Sequence, residues 1–592
     1  MIAWNNWNKP VLRHRRKIDV HGCEHEAVAG HWALHRLRHV ACRHISCRLP
    51  IREFIVLRKT LVVATAFLVT AALALPATAA VTHPSVKGKV YAGYQGWFDA
   101  PGSGSPINNW VHWSGGTAPS PGHQTFEIYP DMRPYPANDQ FRTGYANLGN
   151  GQPSTLFSSY VTQTVDLQFS WMQKFGIDGA ALQRFTSDLV QPGSARYNQR
   201  NAVTAKARDA AQKYGRAFYI EYDLSGMTDD REQAVKNDWT NVVKNSLHLT
   251  DSSSYAYQDG KPVVELWGMG VVGSAANINP SLDLVNWFKA QGLYVIGGVP
   301  RGWRTDTNSK PGYAPVYQAL NMVSPWNVGS QSVDGSLFAA DLKALSARGQ
   351  DYQPVIYPGF AWSNWNGGAR NMIPRKAGSF LWQQAAALRQ NGVGQAFIAM
   401  FDEYDEGTAI APLAEDSSMI PTNQYFLTAS ADGTFLSSDF YLRLSGAATK
   451  MINGSAPLTP NVPIPPTDGP VAFRTGFERG LDAMPSTGSG VAVANHVLRA
   501  QGSSASRQQV FTVHIPVQVS TKLSYDLLSG GGVTVDLLYT DGTSTAGPDA
   551  VSATWTHVSR DLGAAAGKTI SGIVVNTSGA HDASLDNLQI AS

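Results

Sequence analysis

The residues best suited to chemistry are four carboxylic acids within five positions, Asp402, Glu403, Asp405 and Glu406. They follow an apolar run, residues 396–401, that is typical of a buried β-strand. Cleavage of a glycosidic bond needs two carboxyl groups, one that holds a proton and one that is charged. Because neighbouring carboxyl groups raise one another's pKa, such a cluster keeps one of them protonated near neutral pH. We therefore predict that Glu403 and Glu406 form a catalytic pair that faces one substrate.

The acidic run has two other interpretations. Clustered oxygen atoms bind calcium or magnesium, and a run of acids can also be a solvated surface loop. The position directly after a strand favours catalysis, because active sites of (β/α)8 barrels lie at the C-terminal ends of their strands. On this interpretation Asp402 and Asp405 help to bind the substrate, and the barrel needs no metal or other cofactor.

Short apolar runs alternate with patterns of helical period along most of the chain. The predicted strands are Lys89–Tyr94, Ile177–Leu182, Arg216–Tyr222, Pro262–Trp267, Leu293–Gly297, Ala319–Val323, Gln353–Tyr357 and Gln395–Phe401. Such alternation predicts a parallel sheet, and eight repeats predict an α/β fold of the TIM-barrel type, (β/α)8, over residues 81–452. The connection between the fifth and sixth strands is the weakest. An open doubly wound sheet is the alternative, but aromatic residues crowd the turn after the first strand, where that fold usually has a phosphate-binding glycine turn.

Other strand ends and loops supply candidate substrate-binding residues. Glu221 and Asp223 end the third predicted strand and Arg184 ends the second, where each could instead form a structural ion pair. Asp131 lies in a long loop and could instead cap a turn, and His112 could bind a hydroxyl group or be structural. The predicted platforms for stacking on sugar rings are Tyr94, Trp97, Trp113, Trp267 and Trp326. We expect roughly half of these aromatic residues in the core instead.

The acidic run resembles the motif of a known enzyme family. Residues 401–408, F-D-E-Y-D-E-G-T, are similar to the W-N-E-W-x-E-G-T motif of the endo-α-mannosidases of glycoside hydrolase family 99, whose relatives include the α-1,3-glucanases of family 71. The run also resembles secreted bacterial proteins described as xylosidase/arabinosidase-like. Supporting stretches are residues 90–98, 128–132, 357–360 and 438–442, and the resemblance covers about residues 87–450.

The resemblance implies a retaining glycoside hydrolase that cleaves an α-linked glycan. It implies that Glu406 is the acid/base on the leaving oxygen and that Glu403 assists the sugar 2-hydroxyl, which attacks C1 to give a 1,2-anhydro intermediate. Direct attack by a glutamate is the alternative, because Phe401, Asp402 and Asp405 depart from the family motif. A barrel that binds glycan without cleaving it is a second function class, and the complete glutamate pair favours the enzyme.

The N-terminal region is predicted to hold a segment that is removed during export. Residues 56–80 have a basic start, an apolar run and small residues at a cleavage site, which predicts a secretory signal peptide. We expect residues 1–55 to lie upstream of the true start; a small metal-binding element is the alternative, because all three cysteines lie there among histidines. The predicted mature protein is secreted, has no membrane segment and is a monomer. The net charge of +3, without a basic stripe, argues against a nucleic-acid partner.

The C-terminal region changes character. Residues 453–470 are rich in Pro, Ser, Thr and Gly, which predicts an exposed linker. Residues 471–592 show short alternating strands, which predicts an all-β sandwich. Both ends of this region resemble galactose-binding-like carbohydrate modules, and the resemblance implies that Glu478 and Asp586 could share a structural calcium ion. A passive spacer is the alternative to a binding module.

Overall fold

The structure, a computed structural model, describes most of the predicted mature chain. The described residues are 82–469, 471–477, 491–494, 497–501 and 506–592. The predicted leader and signal peptide lie outside the described residues.

The first sheet contains eight parallel strands in chain order. They are β1 (Val90–Tyr94), β2 (Gly179–Phe185), β3 (Ala217–Asp223), β4 (Lys261–Trp267), β5 (Tyr294–Pro300), β6 (Met322–Trp326), β7 (Asp351–Tyr352 and Val355–Ile356) and β8 (Ala396–Ile398). Each strand pairs with the next along the chain as far as β7, and β1 also pairs with β8. Most of these strands are buried along nearly their whole length, as expected when helices cover a parallel sheet.

The seventh strand closes the sheet into a barrel. Its first half, Asp351–Tyr352, pairs with β6, and its second half, Val355–Ile356, pairs with β8. One chain segment therefore joins the two edges of the sheet, and no open edge remains between β6 and β8. This confirms the predicted TIM barrel over an open doubly wound sheet.

A helix follows every strand of the barrel. The helices are α1 (Thr162–Phe175), α2 (Ala195–Tyr214), α3 (Glu232–Asp238), α4 (Ile278–Ala290), α5 (Ala314–Ala319), α6 (Gly335–Ser346), α7 (Ser379–Gln390) and α8 (Phe440–Ile452). The connection that was weakest in the sequence holds α5, which has only six residues. Short helices Thr186–Leu189 and Ser363–Asn366 lie within the connections after β2 and β7.

Local sequence signals explain where several helices begin and end. The Ser194 side chain accepts a hydrogen bond from the Tyr197 N–H at the start of α2, and Asp334 caps α6 in the same way. Gly176 and Gly215 follow α1 and α2 with φ of 81° and 60°, the left-handed conformation that favours glycine at a helix end.

The second region is an antiparallel β-sandwich, which confirms the predicted all-β fold. Its strands are β9 (Val471–Thr475), β10 (Val491–Ala494), β11 (Val497–Gln501), β12 (Ser506–Pro516), β13 (Lys522–Tyr539), β14 (Ala550–Asp561), β15 (Thr569–Thr577) and β16 (Asp582–Ala591). The long strand β13 pairs with β16 and β14 mainly through its first half, and with β15 through its second half. Alternate residues of β13 are buried, so one face of this strand packs on the core.

The segment between the two regions follows the barrel surface. The Trp382 indole N–H donates to the Thr459 carbonyl at 2.9 Å, and Val462 packs against the barrel core. Phe435, from the loop before α8, belongs to the hydrophobic cluster of the sandwich, where its ring lies 5.6 Å from Phe473. Among the described helices, none is both long enough and apolar enough to cross a bilayer.

Gly446 provides a test of helix packing around the barrel. A Cβ atom at this position of α8 would lie 1.7 Å from the carbonyl oxygen of Phe175, the last residue of α1. We expect Gly446→Ala to destabilise the protein by about 1–3 kcal/mol through overpacking, although alanine is otherwise the better helix former. The measurement is urea unfolding followed by tryptophan fluorescence.

Gly394→Ala is the matched control. Its nearest atom, the Ile452 carbonyl oxygen, lies 3.9 Å from the added Cβ, so this change should be nearly neutral. Equal unfolding midpoints for the two variants would contradict the described packing of α8 on α1.

Candidate active site

The acidic run lies at the C-terminal end of β8, which is the mouth of the barrel. Its backbone forms a tight turn, because the Glu403 carbonyl accepts hydrogen bonds from the N–H groups of Thr408 and Ala409 at 3.1 and 2.8 Å. The buried Arg375 guanidinium donates to the carbonyls of Gly407 and Ala409, which fixes the far end of the turn. The acids are therefore held in place before any substrate binds.

The Glu403 carboxyl is buried and receives three hydrogen bonds. The Gln95 side-chain amide donates to Oε2 at 2.8 Å, and the N–H groups of Asp405 and Glu406 donate to Oε1 at 2.9 and 3.2 Å. Burial raises the pKa of Glu403, and the charges of Glu406 and Asp402 add to this rise. The two backbone donors oppose the rise, because hydrogen bonds to a carboxylate favour its charged form.

The Glu406 carboxyl differs from that of Glu403 in its burial and in its hydrogen bonds. Its side chain is only partly buried, and among the described residues no group donates a hydrogen bond to it. Burial raises the pKa of Glu406 to about 7. The hydrogen-bond donors of the cluster therefore favour charge on Glu403, and no described group does so for the Glu406 carboxyl.

Asp402 anchors the site and does not line it. It is fully buried, and its two oxygens accept hydrogen bonds from the N–H groups of Gln95 and Gly96 at 2.7 and 2.9 Å. Burial raises its pKa to about 6. The predicted substrate contact is therefore corrected: Asp402 joins the loop after β1 to the loop after β8.

A second group of acids lies on the barrel interior. Gln183, Glu221 and Glu265 are paired in register across β2, β3 and β4, and paired residues of parallel strands point to the same face. Gln183 donates to Glu221 at 3.1 Å, and the Tyr219 hydroxyl donates to Glu265 at 2.8 Å. Glu221 Oε2 is buried without a partner among the described groups. Asp223, on the same strand, accepts from the Ser225 N–H at 2.8 Å and from its hydroxyl.

Burial controls the protonation of this second group. It raises the pKa of Glu221, with a further contribution from the charge of Glu265. Burial also raises the pKa of Glu265 to about 7 and that of Asp223 to about 6. The interior therefore holds carboxyl groups that exchange protons near neutral pH.

Sequence reasoning missed Glu265 and Gln95. Glu265 lies in the apolar run V-V-E-L-W, two positions before Trp267 and on the same face of β4. A lone carboxylate inside a buried strand is itself a signal of function or of a specific partner. No comparable signal marks Gln95, because its importance depends on contact with Glu403, 308 positions away.

Trp113 and Tyr94 are the most deeply buried of the five predicted aromatic platforms, of which Trp97 and Trp267 are also buried. Trp113 is fully buried and its indole N–H donates to the Phe157 carbonyl at 2.8 Å. Tyr94 is 2 % exposed and its hydroxyl donates to Gln168 at 2.6 Å. Neither ring can stack on a sugar without unfolding its surroundings.

The remaining aromatic candidates lie at strand ends or beside them. Trp267 and Trp326 end β4 and β6, and their rings meet edge to face at 5.1 Å. Trp326 is partly exposed, whereas Trp267 is 7 % exposed. Trp97 lies in the loop after β1 between two other rings. Trp365, which sequence reasoning missed, is partly exposed and donates to the Asp405 carbonyl at 3.0 Å.

Two predicted charged contacts have structural partners instead. Arg184 points outward from β2 and is fully buried against Asp238, with Nε 2.8 Å from the carboxylate. Asp131 is 1 % exposed and forms an ion pair with Arg133 at 2.8 Å. Of the predicted calcium ligands, Glu478 lies outside the described residues and Asp586 lies in β16, so that site stays a prediction.

Comparisons with known proteins give distant structural similarity. No protein family matches the sequence, and no curated protein matches it. The GH99 endo-alpha-mannosidase from Bacteroides thetaiotaomicron aligns at 15 % identity over 63 % of this chain and 100 % of its own, with a TM-score of 0.44. A glycoside hydrolase-like protein aligns at 16 % identity over 58 % of this chain and 99 % of its own, with a TM-score of 0.36. A family 29 carbohydrate-binding module aligns at 10 % identity over 18 % of this chain and 75 % of its own, with a TM-score of 0.16.

The structural role of Arg184 can be tested by stability. Arg184→Met leaves the Asp238 carboxylate buried with only the Tyr222 hydroxyl as a remaining side-chain donor, at 2.8 Å. We expect a loss of about 3–5 kcal/mol in the free energy of unfolding, the usual effect of breaking a buried ion pair. Urea unfolding measures it.

The double variant Arg184→Met/Asp238→Asn is the control. It removes the uncompensated charge, so it should be more stable than Arg184→Met alone. If the double variant is no more stable than Arg184→Met, the contribution of Arg184 to the free energy of unfolding does not come from its ion pair with Asp238.

Proposed function

We propose that this protein is a secreted, retaining glycoside hydrolase that cleaves an α-linked glycan with Glu403 and Glu406. The observation that carries the proposal is the contrast between two carboxyl groups at the mouth of one barrel. Glu403 receives three hydrogen bonds that favour charge, whereas Glu406 receives none and is partly exposed. This is the division into charged group and proton carrier that glycoside hydrolysis requires.

The proposed reaction uses both groups twice. Protonated Glu406 gives its proton to the leaving glycosidic oxygen as the bond from C1 to that oxygen breaks. Charged Glu403 takes the proton of the sugar 2-hydroxyl, whose oxygen bonds to C1 and forms a 1,2-anhydro sugar. Water then adds to C1 with Glu406 as base, the bond between O2 and C1 breaks, and Glu403 returns its proton to O2. The α configuration is restored and both carboxyl groups regain their starting states.

The motif at residues 401–408 supports this assignment of roles, and the signal-peptide pattern supports secretion. The carboxyl groups in and around the barrel mouth, Glu221, Glu265, Glu403, Asp405 and Glu406, suit a neutral polysaccharide as substrate, because sugar hydroxyls donate hydrogen bonds to carboxylates. We propose that the mature chain acts as a monomer on such a glycan.

Release of reducing sugar from α-mannan, α-glucan, arabinan and xylan tests the enzyme class. We expect the parent protein to cleave an α-linked glycan of this panel. Glu406→Gln should lower the rate about 10²–10⁴-fold, because it removes the proton that the leaving oxygen needs. The measurement is the initial rate of reducing-end formation by purified protein from residue 81 onward.

Glu232→Gln is the matched control for this experiment. Glu232 begins α3 on the outside of the barrel and forms an ion pair with Lys236, so its loss should leave the rate unchanged. A parent protein that binds a glycan of the panel, releases no reducing ends and is unaffected in binding by Glu406→Gln would be a glycan-binding protein instead.

The pH dependence follows from the protonation of Glu406. The general acid must hold a proton, and burial raises the pKa of Glu406 to about 7. We therefore expect kcat/KM to fall as the pH rises through about 7, and to fall on the acid side as Glu403, whose pKa burial also raises, takes up a proton. A profile that stays flat from about pH 6 to about pH 9 would rule out Glu406 as the essential acid.

A further inference from the structure

His112 lies beside the acidic run, in the loop between β1 and α1, and the proposed mechanism does not use it. Its imidazole stacks on the Trp97 ring, with centroids 3.7 Å apart and planes at 9°. The Phe185 ring, at the end of β2, stacks near Trp97 with centroids 4.9 Å apart and planes at 23°. Trp97 is therefore flanked by two rings and only 8 % exposed, so it supports His112 and offers little surface to a sugar.

The second support of His112 is Asp405. Its Oδ2 lies 2.9 Å from Nδ1 of the imidazole. Asp405 is itself fixed, because its N–H donates to Glu403 and its carbonyl accepts from the Trp365 indole N–H. The ring is thus held on one face by stacking and at one nitrogen by a hydrogen bond.

The backbone of His112 also shows a specific placement. Its φ is 61°, in the left-handed region that is unfavourable for residues other than glycine. The carbonyl of His112 accepts a hydrogen bond from the Thr125 hydroxyl, which holds this conformation. A conformation of this kind persists only where the surrounding structure holds the residue in place.

One polar atom of the ring stays unused. Among the described residues no group hydrogen-bonds to Nε2, and 29 % of the His112 side chain is exposed, against 12 % for Asp405. Burial lowers the pKa of His112, and the charges of Arg200 and Arg196 add to this effect, so the ring is neutral at neutral pH. A neutral imidazole nitrogen pairs well with a hydroxyl group, which can donate or accept a hydrogen bond.

We propose that His112 is a further substrate-binding residue, whose Nε2 hydrogen-bonds a hydroxyl group of the glycan beside the acidic run at the barrel mouth. Trp97 and Asp405 orient the ring for this contact. The inference rests on the proposed function, because it takes the ligand to be the glycan whose bond Glu403 and Glu406 cleave.

The inference is tested directly by measuring glycan affinity in a variant that binds the glycan but does not hydrolyse it. In the Glu406→Gln background, affinity gel electrophoresis with soluble α-mannan, α-glucan, arabinan and xylan identifies the glycan that is retained. His112→Phe keeps a ring on Trp97 and removes both nitrogens. We expect it to raise the dissociation constant for that glycan about 3- to 10-fold, the effect of one lost hydrogen bond between neutral groups. With Glu406 intact, the same change should raise KM and leave kcat within about twofold.

Two variants of Asp405 separate contact from packing. Asp405→Asn can still hydrogen-bond Nδ1, whereas Asp405→Ala leaves the ring free to turn. We therefore expect Asp405→Ala to weaken glycan binding more than Asp405→Asn does. This order would not follow from a general loss of stability, and thermal melting of each variant provides the check.

His248→Phe is the matched control. His248 also has a left-handed backbone, with φ of 48°, and pairs with Asp251 at 3.3 Å, but its side chain is 64 % exposed. It should leave glycan affinity unchanged. A retained glycan that binds the His112→Phe protein as tightly as the Glu406→Gln protein would overturn the role of His112 and leave the proposed function standing. Retention of no glycan, together with no hydrolysis by the parent, would overturn both.

Discussion

Closure of the parallel sheet is the constraint on which the rest of this structure depends. The segment containing Asp351–Tyr352 and Val355–Ile356 pairs with β6 and with β8, and β8 in turn pairs with β1. This brings the loop after β1 beside the loop after β8, so that Asp402 can accept the N–H groups of Gln95 and Gly96. Without the pairing of β1 with β8 these loops would lie apart, and Glu403 would lose the amide that holds it.

The site places several carboxyl groups close together on a hydrogen-bonded turn, which is electrostatically unfavourable. Carboxyl groups removed from water resist ionisation, and each ionised neighbour increases that resistance. Three hydrogen-bond donors reduce this cost at Glu403, whereas no described group donates to the Glu406 carboxyl. The same logic applies to Glu221 and Glu265, which have few donors and raised pKa values. The protonation of these carboxyl groups therefore depends on where hydrogen-bond donors lie as well as on where the acids lie.

The sandwich is attached to the barrel by specific contacts. Phe435 packs into the core of the sandwich, and Arg474 of β9 lies 3.8 Å from Glu415, which also pairs with Arg133 of the barrel. Together with the contact of Trp382 to residue 459, these interactions reduce the freedom that a chain rich in proline and serine would otherwise have. The predicted linker is largely exposed, and it contacts α7 through Thr459 and α8 through Pro465 and Pro466.

The sequence by itself determined the fold class, the chain order of strands and helices, and the place of the acidic run. These follow from local patterns: apolar period, turn residues and the position of Asp402–Glu406 after a strand. Which side chains meet was decided only by the tertiary structure. Arg184 and Tyr94 lie at strand ends as expected, yet their side chains face helices or core, because alternate residues of a strand point to opposite sides. Gln95 and the contact of His112 with Asp405 had no local signature, because each depends on residues from the loops after β1 and β8, which the pairing of these two strands brings together.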